Sequence, residues 1–266
     1  MRITTWNVNG LRAALSKNFQ RHVRRIGPDV LLLQEVRALP EQLPFRKPRG
    51  FHAHWNPAEK KGYSGVAVWT RGRSERIATG LGTDDPEGRV LMVDVHGVRV
   101  ISAYGPSGSS GPEAQARKDL WMEAFRPWAA ALLAEDRPVI VGGDLNVAPT
   151  ERDIHDPRGN KNNSGFLPHE RQWFADLLDD GWVDLVRAQV GEAQGPYSWW
   201  SNRGKARELD RGWRIDHLLG NRAAAERVVG AEILRQGGLD TSDHAPVSIV
   251  LAQDGEGTGE VATPSP

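Results

Sequence analysis

Short runs of apolar residues alternate along the chain with stretches whose apolar positions recur at helical spacing. The runs at residues 3–8, 30–36, 65–69, 90–95, 98–104, 139–144, 213–219, 228–234 and 247–251 predict strands. Residues 10–25, 113–134 and 169–180 predict helices, the last two opening beside Pro112 and Pro168, where a first helical turn tolerates proline. The excess of strands over helices makes this an α/β chain with two packed sheets and helices outside, rather than a single wound sheet. No internal repeat and no linker divides it, so residues 1–252 are expected to form one domain. Residues 253–266, rich in Gly, Glu, Thr, Pro and Ser, offer almost nothing to bury and are expected to be a disordered tail.

Composition narrows the chemistry. The chain has no cysteine among its 266 residues, which excludes disulfides, thiolate metal sites and a cysteine nucleophile. No apolar leader opens it and its longest apolar run falls far short of the ~20 residues that span a bilayer, so a cytoplasmic protein without membrane contact is expected. Lys and Arg number 34 against 34 Asp and Glu, a balance that argues mildly against a polyanionic partner. Ten tryptophans against three tyrosines argue the other way, because Trp suits stacking surfaces and pocket walls. The Gly/Ser-rich loop at 105–112 lacks the Lys-Ser/Thr ending of a phosphate-binding P-loop.

The most informative regularity is where the strands stop. Asn7, Glu35, Tyr104, Asp144 and Asp216 each follow an apolar run, and in layered sheet folds sites gather where strand ends converge. Asn and Asp also start turns, but Glu35 and Tyr104 are poor turn formers, and Gly142-Gly143 before Asp144 permits close approach of backbone or ligand. Glu35, Asp144 and Asp243 with the amide oxygens of Asn7 and Asn146 make an oxygen-rich set suited to a hard divalent cation, Mg²⁺ or Mn²⁺. Of three Asp-His neighbours, Asp243-His244 is the best catalytic pair, since a carboxylate can hold an imidazole in one tautomer; His155-Asp156 reads as turn chemistry. His217 beside Asp216 should face away from the site, because adjacent strand residues point to opposite faces.

Six ordered motifs, Trp6-Asn7-Val8-Asn9-Gly10-Leu11-Arg12-Ala13, Leu33-Gln34-Glu35-Val36, Gly62-Tyr63-Ser64-Gly65-Val66-Ala67, Gly143-Asp144-Leu145-Asn146-Val147-Ala148-Pro149, Gly212-Trp213-Arg214-Ile215-Asp216 and Ser242-Asp243-His244-Ala245-Pro246, span the chain to about Leu251. Together they resemble the exonuclease III family of abasic-site endonucleases, within the endonuclease/exonuclease/phosphatase superfamily. The resemblance implies a four-layer αββα sandwich of two mixed sheets, DNase I-like. It implies Mg²⁺-dependent cleavage of the phosphodiester 5′ to abasic sites in duplex DNA, with 3′-to-5′ exonuclease and 3′-phosphatase or phosphodiesterase activity; a monomer without an obligate protein partner is expected. It makes Glu35 the main metal ligand, with Asn7 and Asp243 near it, and places Asn146 beside the attacked phosphate. His244, oriented by Asp216, would contact that phosphate and Tyr104 would stabilise it or the leaving group. The proton acceptor is left as Asp144 or His244, with Asp144 favoured. Arg12, Lys17, Asn160 and Asn163 match family DNA contacts, and Trp199, Trp213 and Ile215 match the walls of an abasic pocket, with Trp200 equally readable as core. Ser107 stands where relatives often carry Asn or Gln, and Asp210 where Asn is frequent, adding negative charge near the pocket.

Two other readings share parts of this pattern. A phosphatase acting on inositol phosphates or lipids would share the Asp144 and Asp243-His244 chemistry, but the Trp213-to-Asp216 match argues against it. A nonenzymatic DNA-binding module should have lost the metal or proton-transfer groups, and all are present. Charge distribution agrees with DNA: residues 37–73 hold eight Lys and Arg against two Glu, and residues 200–214 five against two acids, so overall neutrality conceals a basic face.

Overall fold

A computed structural model describes residues 1–45, 49–235 and 240–252. Among them two six-stranded sheets stack face to face. The first runs β11 (Val228–Ile233), β12 (Val247–Leu251), β1 (Arg2–Asn7), β2 (Val30–Gln34), β4 (Val66–Thr70) and β3 (His52–Asn56). The second runs β5 (Ser74–Thr79), β6 (Val90–Val95), β7 (Val98–Tyr104), β8 (Val139–Asp144), β10 (Asp216–Gly220) and β9 (Val183–Asp184). Both are mixed: β1 and β2 are parallel in the first, β7 and β8 in the second, and their other pairings are antiparallel.

Strand alternation builds the layers. Leu32, Val68 and Ile249 of the first sheet and Val93, Val100, Ile140 and Leu218 of the second point inward and form the core between the sheets. Their neighbours point outward: Leu31, Leu33 and Trp69 pack under α1 (Leu11–Leu15) and α2 (Phe19–Ile26), while Ile101 and Val141 pack under α3 (Pro112–Leu132) and α5 (Pro168–Asp179). The result is the expected four-layer αββα sandwich. Gly142 leaves no room for a side chain: a β-carbon there would lie 2.6 Å from Leu32 of the facing sheet and 2.7 Å from Leu218 of its own. The glycine pair before Asp144 thus serves packing, not ligand approach.

Several elements differ from expectation. The helix read over 10–25 is two, α1 and α2, broken at residues 16–18, and both bury apolar residues, Leu11 and Ala14 from one and Phe19 and Val23 from the other, in the same core layer. The strand read over 213–219 begins only at Asp216; Trp213 makes isolated bridges to Ile154 and Trp199 instead, so Asp216 opens a strand and does not end one. Strands β3, β5 and β9 and the short helices α4 (Pro157–Asn160), α6 (Leu185–Val190) and α7 (Arg222–Ala225) were absent from the sequence reading. β5 is largely exposed and polar, SERIAT, and carries no alternation to read. The tail expected at 253–266 lies outside the described residues.

Candidate active site

The parallel pairs β1–β2 and β7–β8 carry their C-terminal ends to one edge of the sandwich, where a cleft of about 670 Å³ opens. Register decides who meets whom. Tyr104 pairs with Asp144 across β7–β8, and Asp144 pairs with Asp216 across β8–β10, so three polar side chains stand in one row of the second sheet. Facing them, Asn7 ends β1 and Glu35 follows β2. Glu35 (φ 49°) and Asn146 (φ 55°) both sit in the left-handed region, which costs a non-glycine residue about 1 kcal/mol or more and is found where the surroundings impose it.

Hydrogen bonds lock this set. The Asn7 Nδ2 donates to Glu35 Oε1 at 2.9 Å and to Asp144 Oδ2 at 2.8 Å, joining the two sheets through their carboxylates. The Asn146 amide donates to Asp144 Oδ1 at 2.9 Å, and its Nδ2 donates to the Gly105 carbonyl at 3.0 Å. His244 meets Asp216 through Nδ1 at 2.8 Å and turns Nε2 toward Asp144 Oδ2 at 3.8 Å. Burial alone would lower the His244 imidazole, but the charge and hydrogen bond of Asp216, with Asp144 and Asp243 nearby, push it up to about 10. Burial raises the Asp144 carboxyl, His244 opposes this, and Asp216 and Glu35 add to it, leaving it pushed up to about 7. The Tyr104 hydroxyl is raised well above its usual value by burial and by the Glu35 and Asp144 charges, so it stays protonated and can donate.

Among the described residues, Glu35, Asp144 and His244 bring ligand atoms within 4.8 Å of one another. Burial chiefly, and the Asp216 and Glu35 charges after it, raise the Asp144 carboxyl, and a divalent cation between these oxygens would offset that cost, so the donor set fits one. Glu35 and Asp144 are the carboxylates of that set. Asn7 stands between them: its Nδ2 donates to both carboxylates and its Oδ1 accepts from the Asn9 amide at 3.0 Å. Asp243 lines the cleft, with one oxygen held by Asn9 Nδ2 at 2.8 Å and the other by Trp199 Nε1 at 3.2 Å, outside the converging group. Asn9 and the Arg37 that pairs with Glu35 are thus parts of the site that strand-end reasoning missed. Ser198 is another: its hydroxyl accepts from the Ile215 and Asp216 amides, both at 3.1 Å, and fixes where β10 begins.

The remaining candidates divide. Trp199, Trp213 and Ile215 line the cleft, with the two indoles edge to face at 6.1 Å. Trp200 is fully buried among Tyr197, Ala206 and Ala245, and is core. Asn163 lines the cleft together with Asn162, whereas Asn160 stands behind it, accepting from Asn163 Nδ2 at 2.8 Å. Arg12 and Lys17 lie on exposed surface beyond the cleft lining, and Lys17 donates to the Thr241 carbonyl at 3.1 Å. Ser107 lines the cleft and pairs with Ser109 at 2.9 Å. Asp210 does not face the cleft: it accepts from Trp200 Nε1 at 2.9 Å and pairs with Arg235 at 3.1 Å, which neutralises its charge locally. His217 faces away as expected, donating from Nε2 to the Val147 carbonyl at 2.8 Å. Asp156 caps α4 through the Gly159 amide, which accounts for His155-Asp156 as turn chemistry.

Such a cleft is equipped to meet the negative charge that builds on phosphate oxygens during ester cleavage, so fold and site together define a phosphate-ester hydrolase. The chain belongs to the endonuclease/exonuclease/phosphatase family, which it matches over residues 4–244. It is 37% identical over 254 residues to an exodeoxyribonuclease of Bacillus subtilis (strain 168), covering 94% of this chain and 99% of that protein. It is 35% identical over 258 residues to the DNA repair nuclease APEX1 of Danio rerio, covering 95% and 82%. A solved structure of the 3′ phosphatase NExo from Neisseria, bound to a product DNA hairpin, superposes with a TM-score of 0.87 at 31% identity, covering 95% of this chain and 100% of that one. An AP endonuclease structure from Archaeoglobus fulgidus gives 0.85 at 29%, with the same coverage. No helix among the described residues is long and apolar enough to cross a membrane.

Proposed function

We propose that this protein is a DNA repair nuclease that hydrolyses the phosphodiester 5′ to abasic sites in duplex DNA and removes nucleotides or phosphate from 3′ ends. The observation that carries the reading is the Asp216–His244–Asp144 row facing Glu35 across the cleft, beside a half-buried indole pair. An inositol-phosphate or lipid phosphatase would use the same carboxylates. The Trp199–Trp213 wall and the asparagine loop above it favour DNA, because an extruded sugar lacking its base calls for an apolar slot.

Glu35 and Asp144 would hold Mg²⁺, or Mn²⁺ in its place, and the ion would supply charge neutralisation at the phosphate oxygens. The chain's own groups do the rest. Asp144 accepts the proton of the attacking water at a carboxylate oxygen, its orientation fixed by the Asn7 and Asn146 donors. His244, kept protonated by Asp216, cannot accept that proton and instead donates from Nε2 to a phosphate oxygen. The Asn146 amide nitrogen has a second hydrogen for the phosphate once the first is given to Gly105. The Tyr104 hydroxyl donates to the departing side. Each such donor is worth ~3–4 kcal/mol in the transition state, a factor of ~10²–10³ in rate.

Incision of a duplex carrying a single abasic analogue, beside an undamaged 3′-recessed duplex, tests this function. Trp213→Ala is expected to lower the preference for the abasic over the intact duplex by about tenfold or more while leaving cleavage of either measurable. Unchanged selectivity would remove Trp213 from the pocket.

A further inference from the structure

Glu170 is wholly buried behind the cleft, yet it is a carboxylate with five donors. Its Oε1 accepts from Lys118 Nζ at 2.6 Å, Gln115 Nε2 at 3.0 Å and Ser164 Oγ at 3.2 Å. Its Oε2 accepts from the backbone amides of Gly165 at 2.6 Å and Leu167 at 2.9 Å. Lys118, buried with it, also donates to the Asn146 carbonyl at 2.8 Å. One acid therefore ties α3, the first turn of α5 and the end of the asparagine loop to the segment that follows β8.

The loop end it holds is a wall of the cleft. Gly165 has φ 93°, and a β-carbon there would lie 3.1 Å from the Asn146 carbonyl oxygen and 3.1 Å from the Trp213 ring. The Gly165 carbonyl in turn accepts from the Ala148 amide at 2.7 Å. Asn162, Asn163 and Ser164 ride on this anchor and line the cleft. Asp144 is held by its strand ladders, by Asn7 and by the Asn146 amide, Glu35 by Asn7 and His244 by Asp216, and Glu170 touches none of these side chains directly, reaching the set only through Lys118 and the Asn146 carbonyl.

We infer that Glu170 is a positioning residue for DNA recognition, clamping the 160–165 loop and Gly165 against Trp213 so that the pocket wall is preformed. This rests on the nuclease reading above. Preformation matters because ordering a loop at the moment of binding subtracts from affinity. The clamp should therefore act on KM and on selectivity and hardly on kcat.

Glu170→Gln keeps the shape but removes the charge. Whichever way the amide is turned, its NH₂ faces donors, the Lys118 and Gln115 side chains on one side or the Gly165 and Leu167 amides on the other. On the abasic duplex with Mg²⁺, the variant is expected to keep kcat within about threefold while KM rises at least about tenfold. Leu132→Ala, a core truncation in α3 remote from the cleft, serves as a control for lost stability, and a comparable fall in Tm there should leave KM unchanged. Amide exchange gives a readout independent of activity: the Gly165 and Leu167 amides should exchange at least about tenfold faster in Glu170→Gln, with the strand amides unaffected. A KM no different from that of Leu132→Ala, or unchanged exchange at Gly165, would overturn the clamp. Failure of the wild-type protein to cut the abasic duplex would instead defeat the nuclease reading, and the exchange experiment would still decide the clamp. If Glu170→Gln does not fold, Glu170→Asp, one methylene too short to reach both Lys118 and Gly165, is expected to shift KM and exchange in the same direction, and an unshifted result there counts equally against it.

Discussion

Replacing Asp144 with asparagine is expected to cut the turnover number on abasic duplex DNA by at least ~10³-fold while leaving DNA affinity within about threefold of wild type. The substitution changes almost no volume, and the residue is 1% exposed, so DNA has little direct contact to lose. It removes the proton acceptor proposed above, and the Asp216 partner that pushes the His244 imidazole up makes that ring a poor replacement. It also removes one negative charge near the phosphate, which favours binding if it changes binding at all. Single-turnover cleavage and fluorescence anisotropy with the same duplex check both halves. A variant that cuts within about tenfold of the wild-type rate would return the proton to another group.

The largest effect on stability is expected away from the chemistry, at Arg214. This guanidinium is 1% exposed and meets Asp153 at 2.6 Å and Asp184 at 2.7 Å. Arg187 also pairs with Asp153, and Arg214 contacts His217 Nδ1 at 3.2 Å. Arg214→Met fills the space but leaves two buried carboxylates without their shared cation, which costs about 3–5 kcal/mol. For a chain of this size that lowers Tm by roughly 6–20 °C. Burial alone would raise the Asp153 carboxyl, and Arg214 outweighs it to hold the carboxyl below its usual range; Asp184 is held lower still by Arg214 and His217 against the same burial.

The pH dependence follows from those directions. In the wild type these two groups release protons more readily folded than unfolded, so their contribution is present above the ordinary carboxylate value of ~3.9 and is lost as pH falls through and below it. In Arg214→Met burial is opposed only by the weaker partners, Arg187 at Asp153 and His217 at Asp184, so both carboxyls shift upward from their wild-type values and acid relieves part of the defect. The gap in Tm between the two proteins is therefore expected to be widest near neutral pH and to narrow toward pH 4. Melting curves at both pH values check this, and a variant within about 2 °C of wild type at pH 7 would show the cluster to be incidental.

Much of this was legible in the sequence, and the residues show why. Asn7, Glu35, Tyr104 and Asp144 could be found because each interrupts an apolar run at a strand end, and the outward turn of His217 follows from period-two alternation. Asp216 was found for a partly wrong reason, since it opens β10; its place opposite Asp144 is a matter of register, which no single strand reveals. Asn9, Arg37 and Ser198 act through contacts of specific geometry on loops with positive φ or no periodicity, and only three-dimensional placement exposes them. Glu170 reads in sequence as an ordinary acid in a first helical turn, and nothing local announces that five donors converge on it. Asp210, read as a charge near the pocket, lies against Trp200 and Arg235, a long-range pairing that composition could not supply.

The most direct test of the central claim is cleavage of a duplex bearing one tetrahydrofuran abasic analogue, measured with Mg²⁺ and again with excess EDTA. The account predicts a single nick immediately 5′ to the analogue with Mg²⁺, its loss with EDTA, and its return when Mg²⁺ or Mn²⁺ is restored. No nick with either ion, or a nick at the same rate in EDTA, would contradict it.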